Sequence, residues 1–397
     1  MGQLRGLSVP SCALAQKRQI LSAKKPVTNG RKDGNTRTIH FTTFSSVHLH
    51  IIVLSLFPRL LFPMSRYAAA HVNPEGPGDS RPTALQIVKD EGMEGKLKDK
   101  VIIITGTSSG LGIETARALS ATGATLYLTA RNVTKAKAAL ADILEPERTE
   151  YIEMDLESFD SVRAAARAIL AKTDKVNILI NNAGIMAVPD LQFTKDGYEL
   201  QFGTNHLSHF LFFQLLKPSL LAAPTAEFHS RVVNVSSAAH RLNGINASSN
   251  YNFQRGEYDP WVSYAQSKTA NIYMANEIER RYGSRGLHAT SLHPGGIATG
   301  LSKFIPEAEL AAMLNNKALL KTLKSPEQGA ATTVWAAISK EWENKGGKYL
   351  ANCAEANRGT DDGNVSSADY VSHTYNPESE SKLWEDSLKI VGLCDDQ

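Results

Sequence analysis

The feature that most constrains this chain is a glycine-rich turn that follows directly on a short apolar run. Val101-Ile102-Ile103-Ile104 leads into Thr105-Gly106-Thr107-Ser108-Ser109-Gly110-Leu111-Gly112, after which the pattern becomes helical. A turn of this kind between a buried strand and a helix lets backbone N–H groups and the helix N-terminus approach a pyrophosphate with no Cβ in the way. Gly106 permits the turn, Gly110 the approach of phosphates, and Gly112 the close seating of helix on strand. Ser108, Ser109 and Leu111 complete the cradle. By itself such a loop is also an ordinary strand-to-helix turn, so its weight comes from what accompanies it.

From Lys100 onward strand-like runs alternate with helical ones, the pattern of βαβ units and a parallel sheet. Strands are expected at 101–105, 125–129, 149–154, 178–181, 231–235, 287–292 and 348–350. Seven such strands with intervening helices predict an α/β, doubly wound parallel sheet of the Rossmann type, which binds ligands beyond the carboxyl ends of its strands. The periodic part fills a single domain, expected over 99–397 with a C-terminal helical tail. Residues 64–98, with the turn-rich Asn73-Pro74-Glu75-Gly76-Pro77-Gly78-Asp79, read as a linker plus one short helix over 83–91, packed on the outside of the domain.

Charge separates residues 1–63 from the rest. They carry nine Lys/Arg against one acid, Asp33, which leaves the remainder near −5 although the chain as a whole is +3. An acidic body argues against nucleic-acid partners, which need a basic face on the fold itself. The leader's apolar stretch, 50–63, is broken by Pro58 and Arg59 and is short of the ~20 residues that span a bilayer, so no stable span is expected. The leader reads as a disordered or artefactual extension, with a transit segment or membrane anchor as the other readings, and the protein as cytoplasmic, with mitochondrial or membrane-associated placement as alternatives. Cys12, Cys353 and Cys394 lie far apart without CxxC or His-rich spacing, which fits free thiols in a reducing compartment and no metal site.

The second signal is catalytic in type. Tyr264 and Lys268 stand four residues apart on an expected helix, so they share a face, and Tyr264 follows Ser237 by 27 residues. A free phenol titrates near pH ~10, and a neighbouring ammonium favours its ionised form. At the end of the second expected strand stand Ala130 and Arg131, where an Asp or Glu would repel a 2′-phosphate and a guanidinium suits one. NADP(H) is therefore the expected cofactor, unless Arg131 points to solvent.

These elements in this order, with Asn181-Asn182-Ala183-Gly184 and Asn205 between them, resemble the short-chain dehydrogenase/reductase family over roughly 98–355. The segments Asn205-His206-Leu207-Ser208-His209-Phe210 and Val233-Asn234-Val235-Ser236-Ser237 look like its retinol-dehydrogenase-like branch, common in fungal metabolism. The glycine spacing is TGxxxGxG, which matches the family pattern and not the generic GxGxxG. The resemblance implies Ser237 (in preference to Ser236), Tyr264, Lys268 and Asn205 as catalytic. Tyr264 would pass the proton, Lys268 would sit by phenol and ribose, Ser237 would orient the substrate oxygen, and Asn205 would hold a water against Lys268. It implies cofactor contacts from Asp155-Leu156 to adenine, from Asn182, Ala183 and Gly184 to the adenine ribose, and from Pro294, Gly295, Ile297 and Thr299 to the nicotinamide carboxamide. Asp155 is alternatively a helix N-cap, and Asn205 alternatively a structural amide.

The inserted segment 241–260, with Tyr251, Phe253 and Tyr258 and with Trp261 just beyond, is expected at the substrate rim. The amphipathic stretch 301–323 reads either as a lid or as helix packing, and its apolar content points to a hydrophobic alcohol, ketone or aldehyde substrate. The family's common dimers and tetramers make a homodimer or homotetramer the expectation, with the Leu383-Trp384 helix able to modify it. An epimerase or dehydratase, or a non-catalytic regulator, is the alternative to an oxidoreductase of secondary or lipid-like metabolites.

Overall fold

The computed structural model describes residues 65–141 and 145–394; the leader over 1–63, and with it every reading of that segment, lies outside them. Eight strands form one sheet: β1 Val101–Thr105, β2 Thr125–Ala130, β3 Thr149–Glu153, β4 Ile178–Asn181, β5 Ser230–Val235, β6 Leu287–His293, β7 Lys348–Ala351 and β8 Ala354–Glu355. Their order is β3-β2-β1-β4-β5-β6-β7-β8, and every pairing is parallel except β7 with β8. The chain winds outward from β1 through β2 to β3, then returns to place β4 on the other flank of β1. That reversal opens a crevice beyond the carboxyl ends of β1 and β4, where doubly wound sheets bind ligands.

The unbroken apolar run of β1 follows from burial on both faces. Ile103 belongs to one core with Leu179, Phe210, Phe213 and Trp384, while Ile102 and Ile104 belong to another with Ile87, Leu119, Val334 and Trp335. The short helix expected over 83–91 spans Ala84–Asp90, with the Thr83 hydroxyl accepting from the Gln86 N–H at 3.2 Å. Ile87 and Val88 are fully buried, so this segment builds the second core instead of lying outside the domain.

All seven expected strands are present, with ends shifted by one residue at most. The eighth was not legible because its turn, Asn352-Cys353, takes positive φ at both positions without the glycine that usually signals such a hairpin. At the other end of the chain, the helix Pro377–Ile390 lays Trp384 against Phe210, Phe213 and Tyr282, with ring centroids 4.9, 6.0 and 6.3 Å away. It thereby covers part of the helices Ser208–Ala222 and Pro260–Tyr282. Among the described residues no helix is long and apolar enough to cross a membrane.

Candidate active site

The glycine turn is built so tightly that only glycine fits. Gly106 has φ of 76°, and a Cβ on it would lie 2.8 Å from the Ala183 Cβ; a Cβ on Gly112 would lie 2.2 Å from the Gly106 carbonyl oxygen. Gly110, at φ of 62°, precedes the helix Leu111–Ser120, whose N-terminus has no side-chain cap. Uncapped N–H groups at a glycine-walled helix end make an anion-binding cradle. Thr299 faces it across the crevice, 3.6 Å from where a Gly110 Cβ would be. We expect Gly106→Ala to destabilise the protein by about 1–3 kcal/mol, through overpacking and the left-handed backbone, and to weaken any dinucleotide binding in the crevice. Thermal unfolding with and without NADPH checks both.

Asn182 and Ala183 are fixed to β1. Both backbone N–H groups donate to Thr105 Oγ1 at 3.0 Å, and Asn182 Nδ2 donates to the Thr105 carbonyl at 2.8 Å. With two N–H groups arriving, the Thr105 hydroxyl turns its own hydrogen to His209 Nε2, 2.9 Å away, and His209 Nδ1 donates to the Asn205 carbonyl at 3.0 Å. Burial pushes the His209 pKa down to about 4, so the ring is neutral and can play both parts. Thr105 and His209 fall within the quoted motif segments but were given no role from sequence, since the contact between them joins positions 104 residues apart.

Asn205 lies in a π-helical turn, Gly203–Leu207, and is fully buried. Its Oδ1 accepts from the Ile185 N–H at 2.9 Å, and its Nδ2 donates to the Ile185 carbonyl and to Ser267 Oγ, both at 2.9 Å. Both amide N–H groups are thus spent, while Oδ1 keeps a second lone pair. A Cβ on Gly184 would fall 3.1 Å from Asn205 Oδ1 and 3.4 Å from Lys268 Nζ, which places all three groups around one point.

Tyr264 and Lys268 share a face of the helix Pro260–Tyr282, whose N-cap, Asp259, accepts from the Trp261 and Val262 N–H groups at 2.8 and 2.7 Å. Lys268 Nζ is 5.5 Å from the Tyr264 ring centroid and donates to the Val235 carbonyl at 3.1 Å. Ser236 and Ser237 face opposite ways: Ser236 Oγ donates to the Lys268 carbonyl at 2.8 Å, whereas Ser237 Oγ accepts from the Ala239 N–H at 3.1 Å and lies toward the Tyr264 phenol, whose pKa it lowers. His240 Nδ1 donates to the Ser237 carbonyl at 2.8 Å, and Thr374 holds the other ring nitrogen at 3.1 Å.

The electrostatics correct one sequence expectation. Burial pushes the Tyr264 phenol up to about 12, against the lowering expected from Lys268, and burial likewise pushes the lysine down to about 8. Only the Ser237 hydrogen bond pulls the phenol the other way.

Beyond the carboxyl end of β2, Arg131 is exposed and its Nη1 lies 2.9 Å from Glu157 Oε1. Asp155 does not cap the next helix, a role taken by Ser158. Its carboxylate accepts from the Glu157 N–H at 3.1 Å and pairs with Lys195 at 2.8 Å, and the Leu156 carbonyl accepts from Ser208 Oγ at 2.6 Å. Glu157 was missed from sequence because charge order along a chain does not show which side chains meet.

Of the inserted aromatics, Tyr251 is buried on Phe202, Phe253 is buried, and the Tyr258 hydroxyl donates to the Val188 carbonyl at 2.9 Å. Trp261 is the one set edge-on to Tyr264, with centroids 6.2 Å apart. A cavity of about 600 Å³ beside the C-terminal helix, lined by Ile245, Ser248, Tyr251 and Lys382 among others, includes none of the predicted site residues. The stretch 300–322 forms a 3₁₀ turn and two short helices with no buried residue, so it is not core helix packing but an exposed flap that starts at Thr299.

The sheet order and the glycine-walled crevice define a doubly wound, dinucleotide-binding class of protein. A family model described as short chain dehydrogenase matches residues 100–310. Short-chain dehydrogenase/reductase prx1 of Penicillium roqueforti is 49% identical over 330 residues, covering 83% of this chain and 96% of its own. Human polyprenol dehydrogenase is 34% identical over 304 residues, 75% of this chain and 86% of its own. A crystal structure from Mycobacterium paratuberculosis superposes with a TM-score of 0.58 at 28% identity, covering 79% of this chain and 98% of that one. The chain belongs to the short-chain dehydrogenase/reductase family, whose members are oxidoreductases.

Proposed function

We propose that this protein is an NADP(H)-dependent oxidoreductase that interconverts a hydrophobic aldehyde or ketone with its alcohol. The observation that carries the reading is the convergence of Ser237, Tyr264 and Lys268 beside the glycine-walled crevice. The crevice residues fit a nicotinamide dinucleotide: the cradle would admit the pyrophosphate. Lys268 spends one N–H on Val235, which leaves two for ribose hydroxyls. When bound, that group supplies or accepts the hydride.

The chain's own residues govern the oxygen and its proton. Ser237 and Tyr264 hold the substrate oxygen between two hydroxyls, orienting it and stabilising charge that develops there. Tyr264, protonated at neutral pH with its pKa near 12, donates its proton to that oxygen in reduction. Lys268 steadies the phenolate left behind until solvent restores the proton. In oxidation the same groups run in reverse. The apolar side chains of the flap, Leu301, Leu310, Met313 and Leu314, and the Trp261 face favour a hydrophobic substrate, in line with the long apolar alcohol in the name of the human relative. A secondary or lipid-like metabolite fits that description.

The test is consumption of NADPH by the full chain over a panel of medium-chain aldehydes and ketones. Turnover that prefers NADPH to NADH is expected; tight NADPH binding with no carbonyl reduced would favour an epimerase, a dehydratase or a regulator. Arg131→Asp should move the kcat/KM ratio toward NADH by about tenfold or more, as loss of one charge-assisted phosphate contact implies. Glu157→Gln should move it the other way by freeing the guanidinium. Unchanged ratios in both variants would remove Arg131 from the cofactor assignment.

A further inference from the structure

None of the flap's residues over 300–322 is fully buried, so contacts at its ends weigh heavily in its position. Its C-terminal end is held from the far side of the sequence. Arg81, only 4% exposed, donates through Nη1 to the Thr322 carbonyl at 2.8 Å and through Nη2 to the Leu323 carbonyl at 2.5 Å and the Gly76 carbonyl at 3.1 Å. Its Nε donates to Asp79 Oδ1 at 2.8 Å. Four of its five N–H groups are thus spent on fixed acceptors, two of them successive carbonyls at the flap's base.

The same buckle reaches the crevice. Gln328, 2% exposed, donates from Nε2 to the Asp79 and Arg81 carbonyls at 3.0 Å, and its Oε1 accepts from the Gly78 N–H at 2.9 Å and the Ser325 N–H at 3.0 Å. The next residue, Gly329, leaves so little room that a Cβ would stand 2.7 Å from both Ile297 and Leu111. Between buckle and crevice, the Lys324 N–H donates to the Gly296 carbonyl at 2.9 Å, and its Nζ donates to the Pro294 carbonyl at 3.1 Å. One rigid set of contacts therefore links the 76–81 turn, the base of the flap and the 294–299 loop.

We propose that Arg81 is a positioning residue that fixes the base of the 300–322 flap, and so sets how the flap meets substrate. This rests on the crevice being the active site. A guanidinium is required because its planar fork meets two successive carbonyls and a carboxylate at once, which an ammonium on a flexible stem does not. The turn-rich 73–79 segment, read from sequence as a linker, is on this account part of the substrate apparatus.

The test uses the full chain with Arg81→Lys, which keeps the charge and loses the fork, and Asp79→Asn, which keeps the shape and loses the ionic partner. Trypsin cleavage at the exposed Lys317 and Lys321, followed by mass spectrometry, should be about tenfold faster in Arg81→Lys than in wild type, as local opening becomes easier. With decanal as the probe, KM should rise about tenfold while kcat and the NADPH Kd change less than about threefold. Asp79→Asn should move the same readouts in the same direction by less. Wild-type cleavage rates and KM in both variants would overturn the proposal. So would a parallel loss of melting temperature, NADPH binding and kcat, which marks a role in the whole fold. If the wild-type chain turns over no carbonyl, the proposed function fails separately, and the cleavage rates still decide whether Arg81 holds the flap.

Discussion

Tyr264→Phe should lose about 10³-fold or more of kcat while binding NADPH within about twofold of wild type, since proton transfer by a placed side chain contributes about 10² to 10⁴. The substitution removes one oxygen from a ring that is buried beside Ser237 and Trp261. Because a phenylalanine fills the same space, fold and cofactor cradle should be unaffected. What goes is the hydroxyl proton proposed to pass to the substrate oxygen. Stopped-flow measurement of NADPH oxidation, beside fluorescence titration of NADPH, separates the two effects. Wild-type turnover in this variant would sink the assignment of Tyr264.

Lys268→Met should cost about 10²- to 10³-fold in kcat/KM, because the buried charge that steadies the phenolate is removed along with its contacts in the crevice. The wild-type pH profile carries its own sign. Burial lowers the Lys268 pKa to about 8, so the ammonium is present below that pH and lost above it, and kcat/KM should fall as pH rises through about 8. Stability runs the other way. Between about 8 and 10.5 the unfolded chain binds more protons at this lysine than the folded one does, so this group's contribution to stability rises with pH. An activity loss near pH 9 without loss of folded protein would therefore belong to the site. Lys268→Arg, which stays charged to above pH ~12, should abolish that limb. A limb unchanged in Lys268→Arg would assign it to another group.

Much of this molecule was legible because its strands are buried on both faces and its turn is glycine-rich. Runs such as Val101–Ile104 and Ile178–Ile180 have no other reading once helical runs separate them, and a Cβ on Gly106 or Gly112 would strike side chain or backbone while Gly110 takes a positive φ. The Tyr264 and Lys268 pair was legible from helical spacing together with its position 27 residues after Ser237 and before the sixth strand. What stayed hidden depends on contacts between distant parts of the chain. Glu157 against Arg131, His209 against Thr105, and Arg81 under the flap join residues 26 to 242 positions apart. The upward direction of the Tyr264 pKa in the free protein stayed hidden for a related reason: spacing shows that a lysine is near, and only the fold shows that the phenol is buried.

The most direct test of the account is transfer of label from NADPH deuterated at the transferring position to decanal by the full wild-type chain, with the product read by mass spectrometry. The account predicts decanol carrying one deuterium at the carbinol carbon, formed in step with NADPH oxidation. Decanol without label, or NADPH that binds and remains unoxidised across the aldehyde and ketone panel, would contradict it.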